Sequence, residues 1–528
     1  MNKLINGCIA LGLILSQCTS ALAQNLESGI RFFTYERYQS AKQTLEPLAG
    51  SNPLANYYLG LSELGLEHTA EAKIIFQKYP DDAANNAGLA RVLFSENKPE
   101  EALSMLNKVA ARAKKKDWLP YKYAADAITY TEGGDPNVAI EWYKKALAVE
   151  ASGDVYMAMG DAYRKMQGGG GNAMTNYEFA EEYANVKSMS NYKMGNLWYA
   201  AKNYDSALVK YNRSSELDAE NPLPYKALAD AYYKVSKYKI SKEKIEKYLE
   251  RTDKSITDLI EYANTLFLAQ DYQNAILKLN ELIQKGEGEK RPYMYRILGY
   301  SLYETKEYTG ALQNMDKFFS KADPKKIIPS DYMYYGKILL TDSTKASQAG
   351  TWFDKSIALD TTRDKTPVYK QLAETYNKMS DYANAARYYQ KILENSAAPG
   401  VTDFWWCGAT HYYSKNYTSA DSIYRIMNEK FPNEPSGFYM RGNVAFAGFD
   451  KESTNGAAVE YYSKWLGMIK TDDPDKKKNL IKVYTYLATV MYNTGKKDES
   501  RQYCTKLQAL DPNDENAKNL LKALDAKK

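Results

Sequence analysis

A small residue returns at a near-constant interval along this chain, and no other feature constrains the fold as strongly. The set runs Ala41, Ala72, Ala102, Ala139, Ala173, Ala207, Ser241, Ala275, Ala311, Ala349, Ala385, Ala420, Ala458 and Ser500. Between Ala139 and Ala275 every interval is 34 residues; elsewhere they run from 30 to 42, the longer ones carrying insertions such as Gly448 to Gly456. In the three units that align best, a large residue followed by a small one stands thirteen residues before the member: Met194-Gly195, Leu228-Ala229 and Tyr262-Ala263. Four residues after it comes a bulky one, as in Tyr211, Ile245 and Leu279. Apolar positions within a unit fall at i, i+3, i+4 and i+7, as in Tyr225, Leu228, Ala229 and Tyr232, which puts one apolar stripe on each helix. Breakers such as Asn221-Pro222, Asp323-Pro324 and Asp511-Pro512 separate the units. One such unit cannot bury its own stripe, whereas a stack of them forms a continuous core.

A helix-turn-helix unit of this length and pattern resembles the tetratricopeptide repeat (TPR). The resemblance covers nearly the whole chain in about fourteen units and implies an all-α fold, a right-handed superhelical solenoid plus a C-terminal closing helix. Residues 24–116 read as shorter, degenerate N-terminal units and 117–513 as the main solenoid, with the "ARAKKKD" segment as the seam. Residues 514–528 read as the closing helix, with Leu520, Leu521 and Leu524 on one face. "QGGGGN" (167–172) and "TEGGDPN" (131–137) read as loop insertions that lengthen two turns.

In the TPR family the concave groove is lined by the first helix of each unit and binds peptides or partner proteins. Its groove-facing positions lie one, five and eight residues after each unit's first large residue. Counted from Asn191, Tyr225, Leu259 and Tyr295, the resemblance implies Tyr192, Asn196, Tyr199, Lys226, Asp230, Tyr233, Asn264, Phe267, Arg296, Tyr300 and Tyr303. Counted from Phe404 and Phe438, it implies Trp405, Tyr412, Tyr439, Asn443 and Phe446. Aromatics give large contact area with few rotors, and a Tyr hydroxyl tolerates water when unbound, so this composition suits a binding surface. Packing between neighbouring units is the competing role for several of these rings. Carboxylate-gripping TPR domains pair a Lys one position after the reference residue with an Asn five after it. Here Lys226 is matched with Asp230 and Lys370 with Glu374, so that grip is not reproduced.

The first 23 residues carry Lys3, an apolar run from about Leu4 to Leu15, and Ala21-Leu22-Ala23 before Gln24, the layout of a secretory signal peptide cleaved after Ala23. The run is too short for a membrane span. Gln17 stands where a lipoprotein signal has a small residue before the cysteine, so a lipid anchor on Cys18 is not expected. The "ALAQ" ending resembles the leaders of exported Bacteroidota proteins and implies a periplasmic location, with association at the outer membrane by analogy. Beyond the leader no stretch approaches a transmembrane span. Losing Lys3 takes the formal charge from +5 to +4 over some 500 residues, so nucleic acid is not an expected partner; the lysine runs 114–116 and 476–478 read as solvated turns. Asp205-Ser206-Ala207 and Asp421-Ser422-Ile423 match the short O-glycosylation motif of exported Bacteroidota proteins, which makes Ser206 and Ser422 candidate acceptors.

Cys407 and His411, four residues apart, would share one face of a helix and invite a metal or catalytic reading. The repeat register assigns them elsewhere. Cys407 takes the place of Met194 and Leu228, and His411 that of Trp198, Tyr232 and Tyr376, so both are expected in the core, as is Cys504 at the position of Tyr211. No nucleotide loop, H-E-x-x-H or G-x-S-x-G pattern occurs, and His68 has no cysteine or second histidine near it. Neither catalysis nor a cofactor or metal is expected. The sequence reads as a non-catalytic scaffold or adaptor for protein partners, in the assembly of an outer-membrane or secretion complex. The alternatives are a periplasmic chaperone or receptor for extended polypeptides and, third, a glycan binder.

Overall fold

The computed structural model describes residues 24–526; the expected signal peptide, with its expected cleavage site after Ala23 and Cys18, lies outside them. The described residues form helices joined by short turns, with no strand among them. By Cα proximity the chain resolves into two compact units, one up to Thr305 and one from Lys306, the division falling between helices Tyr293–Glu304 and Tyr308–Lys321. Within the first unit one apolar cluster runs from Ala87 to Ala162, through the lysine-bearing turn at 114–116. Within the second, clusters run from Met333 to Cys407 and from Ala445 to Ala517. The last helix, Glu515–Asp525, is capped by Asp514 and buries Ala517 and Leu524.

The repeat is a repeat of turns as much as of helices. In twelve of the fourteen units a residue with left-handed backbone stands five positions before the recurring small residue, from Glu36 (φ 58°) and Glu67 (66°) to Lys415 (63°) and Gly495 (81°). In the unit of Lys202, its N–H donates to the Tyr199 carbonyl (2.9 Å) and the Asn203 N–H to the Trp198 carbonyl (3.0 Å). These two bonds satisfy carbonyls at the helix end that lack an intrahelical partner and reverse the chain within a few residues. The side chain of Asn203 then accepts from the Ser206 N–H (3.1 Å), capping the second helix, Tyr204–Leu217. The inserted turns keep this logic: Gly168 (φ 74°) precedes helix Gly170–Glu181, and Asp135 caps helix Pro136–Val149.

All fourteen recurring small residues are sealed, none more than 1% exposed. Above each lies the bulky residue four positions on, and its seat is the small residue of the first helix. A Cβ built on Gly60 would stand 2.4 Å from the Phe76 ring, on Gly195 2.5 Å from Tyr211, on Gly336 2.4 Å from Phe353, and on Gly408 2.5 Å from Tyr424. Glycine is required there because the aromatic face rests on the backbone itself. In the two units whose first helices carry Ala229 and Ala263, the second helices carry Ile245 and Leu279 instead of a ring. Ser241 and Ser500 stand in for alanine by donating back across the hairpin, to the carbonyls of Ala229 and Ala488 (both 2.8 Å). A buried hydroxyl paired in this way avoids the cost of an unmet donor.

Candidate functional site

Three successive first helices, Lys187–Ala200, Leu223–Lys234 and Ile256–Leu268, project side chains from the positions expected to face a groove. Tyr192, Asn196, Tyr199, Lys226 and Asp230 line a cavity of about 360 Å³. Tyr199 and Asp230 also wall a second one of about 340 Å³, with Tyr233, Glu261 and Asn264. The rings are held by one another: Tyr199 lies edge-on to Tyr204 (5.4 Å between centroids) and Tyr233 edge-on to Tyr238 (5.6 Å). Phe267 contacts Tyr272 (5.7 Å) and the buried Tyr300 (5.8 Å), while Arg296 and Tyr303 are half-buried on the same helix as Tyr300.

Charge in this region is largely paired across neighbouring units. Asp161, 5% exposed, accepts from the hydroxyls of Tyr130 and Tyr177 (2.7 Å each) and from Lys193 Nζ (2.7 and 2.9 Å). Burial alone would raise its carboxyl, but Lys193 and the two hydroxyls outweigh it and hold it below the usual range. Lys226 Nζ meets Asp258 at 2.9 Å and Glu261 at 3.8 Å. Burial works against its charge, and the Asp258 hydrogen bond more than offsets this, so its pKa is pushed up. Asp258 is fixed in turn by a reciprocal cap with Ser255 and by the Tyr248 hydroxyl (3.0 Å). Asp230 is the exception. Burial first, and then the charge of Glu261 and a hydrogen bond to it, raise it to about 7.

Asn196 and Asn443, expected as free groove groups, have their oxygens already engaged: each accepts from a buried tyrosine, Tyr211 (2.8 Å) and Tyr462 (2.9 Å). In the second compact unit the other expected groove residues are likewise packed. Trp405 stands edge-on to Trp406 (4.8 Å), and Tyr412 to Tyr417 (5.8 Å). Tyr439 lies 5.0 Å from Trp465 and donates to Asn479 (3.0 Å), and Phe446 sits against Tyr486 (5.4 Å).

The far wall of the 360 Å³ cavity had no counterpart among the expected residues: it is Tyr35, Glu36 and Tyr38, from the turn between helix 24–34 and helix Tyr38–Leu45. Water reaches Glu36, but protein surrounds it on most sides, and its carboxyl is raised by burial against the opposing pull of Lys193 and Lys226.

Cys407 and His411 lie in the core, at 0% and 9% exposure. Burial pushes the Cys407 thiol up to about 12 and lowers the pKa of His411, whose Nε2 has no hydrogen-bond partner. Cys504 is also free and buried. Among the described residues no group of three or more His, Cys, Asp or Glu side chains is arranged to hold a metal ion, and no helix is long and apolar enough to cross a membrane. His68, largely exposed, pairs with Glu63 at 2.9 Å. Ser206 is half-buried beside the sealed Ala207; Ser422 is exposed, next to an Asp421 held by Arg441 at 2.7 Å.

No protein-family profile matches the chain as a whole. A TPR repeat-containing protein of Methanocaldococcus jannaschii is 22% identical over 478 residues, 86% of this chain and 74% of that one. The fold is a TPR solenoid. Among solved structures, the C-terminal part of a TPR repeat-containing protein of Cytophaga hutchinsonii is 27% identical with a TM-score of 0.40, covering 49% of this chain and 98% of that one. A TPR protein of Parabacteroides merdae covers the same shares at 18% identity and a TM-score of 0.31. Neither superposition is close enough to carry a partner across to this chain.

Proposed function

We propose that this chain is a non-catalytic, exported scaffold that holds protein partners along the concave surface of its first helices. One observation carries the reading: Tyr192, Asn196, Tyr199, Lys226, Asp230, Tyr233 and Asn264, from three successive units, converge on two adjoining cavities walled by rings and by charged groups. Such a surface offers rigid aromatic area for anchoring and fixed charges for register, the two things a protein interface draws on. A TPR stack repeats that surface unit by unit, so a partner is gripped along a line and several weak contacts add. In the periplasm such a scaffold would hold components of an envelope complex together during assembly.

A photo-crosslinking residue at Tyr233, in the second cavity, should capture a defined partner in intact cells, and one at Val209, exposed on a second helix, should not. Equal capture from both positions would refute the concave surface as the binding face. Export is checked separately by the mass of the protein recovered from cells: the expected N-terminus is Gln24, and a chain that keeps Met1 would remove the periplasmic setting.

A further inference from the structure

The turn that walls the first cavity comes from the wrong end of the chain. Helices 24–34 and Tyr38–Leu45 make their apolar contacts locally: Leu26, Phe32, Phe33, Ala41 and Leu45 pack with Ala55 and Leu59 of the next unit. Their connecting turn instead reaches residues 183 to 216 positions further on. The Tyr35 hydroxyl donates to Asp218. Asp253 accepts from Arg37 Nε (3.5 Å), from the backbone N–H groups of Gln39 (3.0 Å) and Ser40 (3.1 Å), and from the Ser40 hydroxyl.

Helix Tyr38–Leu45 receives no cap from Arg37, the residue at its own N-cap position. Asp253 fills that role from another unit, taking the donors of the second and third helical residues, where an anion is favoured. Asp218 and Asp253 stand one repeat apart, just past the ends of helices Tyr204–Leu217 and Tyr238–Arg251. Equivalent points on two successive units thus grip the two sides of a single turn.

The two kinds of contact differ in permanence. The apolar seam with the neighbouring unit is sealed, with Ala41 and Leu45 at 0% exposure. The grip across the groove is made through polar atoms: Tyr35 is buried, and the side chains of the ion pair, Arg37 and Asp253, are 25% and 26% exposed. An ion pair that water partly reaches is weak and screened by salt. The turn can therefore detach while its helices stay docked.

We propose that residues 35–40 form a clasp: gripped by Asp218 and Asp253, the turn closes one side of the cavity lined by Tyr192, Tyr199 and Lys226, and its release opens that cavity to a partner segment. Access to the groove is then set by the chain itself, and a partner that enters there must displace Tyr35 and Glu36. The consequence for partners rests on the proposed function; the clasp itself is testable with no partner present.

The test is thiol labelling of Tyr192→Cys, which lines the first cavity and not the second, in the full chain with Cys8 and Cys18 changed to Ser; Cys407 and Cys504 are buried and stay silent while the protein is folded. Labelling with a bulky maleimide should speed up about tenfold when Asp253→Ala is added, the size set by losing a cap and its ion pair. Asp253→Asn, which keeps an acceptor for the amides, should fall between. Raising the salt should accelerate labelling in the chain with Asp253 intact and not in Asp253→Ala. Amide exchange reports the hinge: protection at Gln39 and Ser40 should drop in Asp253→Ala, with Ala207 and Ala275 unchanged as the sign that the stack is intact. Protection that survives in Asp253→Ala would show that Asp253 does not hold the turn. Protection lost with an unchanged labelling rate would show that the turn does not gate the cavity. Either result overturns the proposal.

Discussion

The glycine seats beneath the buried rings give the sharpest test of how this stack holds together. In Gly195→Ala the new methyl would stand 2.5 Å from both Cδ1 and Cε1 of Tyr211, against the roughly 3.5–4.0 Å of a relaxed carbon contact. The ring cannot step aside. It is 2% exposed, its hydroxyl is bound to Asn196 at 2.8 Å, and Tyr192 lies 6.1 Å away on one side. Overpacking costs about 1–3 kcal/mol, and a ring that cannot move takes it to the upper part of that range, about 2–3; the better helix propensity of alanine returns about 1, so Gly195→Ala should lose ~1–2 kcal/mol. Tyr211→Leu alone should lose ~2 kcal/mol, from unfilled space and the lost hydroxyl. Together they recreate the arrangement this chain already uses at Ala263 and Leu279. The double variant should therefore lose about as much as Tyr211→Leu alone, a coupling of ~1–2 kcal/mol. Urea titration of the full chain gives the midpoints. Because a repeat array need not unfold in one step, amide exchange over residues 187–217 should localise the effect. Losses that add to within ~0.5 kcal/mol, or a neutral Gly195→Ala, would refute the ring-on-glycine account.

Asp230 has a folded pKa of about 7, above its unfolded value of about 3.9, so its contribution is fully present only below the unfolded value and is lost as the pH rises from there through the folded one. Asp230→Asn should therefore raise the melting temperature more at pH 8 than at pH 5, with the gain closing near pH 3.5; equal effects at pH 8 and pH 5 would contradict the raised carboxyl. His411 is shifted the other way, by burial. Its contribution is full above the unfolded value of about 6.5 and is lost as the pH falls from there through the depressed folded value. His411→Tyr, which copies Tyr232 and Tyr376 of other units, should flatten the melting temperature between pH 7.5 and about 5.5 relative to the parent, and an unchanged slope would count against a buried neutral imidazole. Lys202 and Lys415 hold left-handed backbone (φ 60° and 63°), so Lys202→Gly or Lys415→Gly should each stabilise by about 0.5–1 kcal/mol in urea titration; destabilisation would mean these side chains make contacts worth more than the strain.

Whatever depends on neighbours was legible in the sequence. The fourteen small residues, the apolar stripes and the core positions of Cys407 and His411 follow from spacing, because each unit buries its stripe only against the next. That Tyr192, Tyr199, Lys226 and Tyr233 cluster on two adjoining cavities follows likewise, since helix register determines which side chains share a face. The sequence also carries a finer signal: at Gly160, Gly195 and Gly442, which seat Tyr177, Tyr211 and Tyr462, the residue after the glycine is polar and is matched by that tyrosine. Asp161 has Tyr177, Asn196 has Tyr211 and Asn443 has Tyr462. Those pairs turn expected free groove groups into fixed ones.

Asp253 is a different case. Nothing in the pattern around it distinguishes it from other aspartates that follow second helices, such as Asp218 or Asp511. Its partners Arg37, Gln39 and Ser40 are brought to it by the summed rotation of the intervening units, and a small change per unit would carry the turn past it. Repeat spacing encodes each step of that rotation only as good packing, so where the first turn lands is a property of the assembled stack. The landing site is nonetheless chemically apt, with a carboxylate placed at a helix start that lacks its own cap. In solenoids of this kind, a missing cap on a terminal helix is therefore the local sequence sign to look for when asking whether a distant unit supplies one.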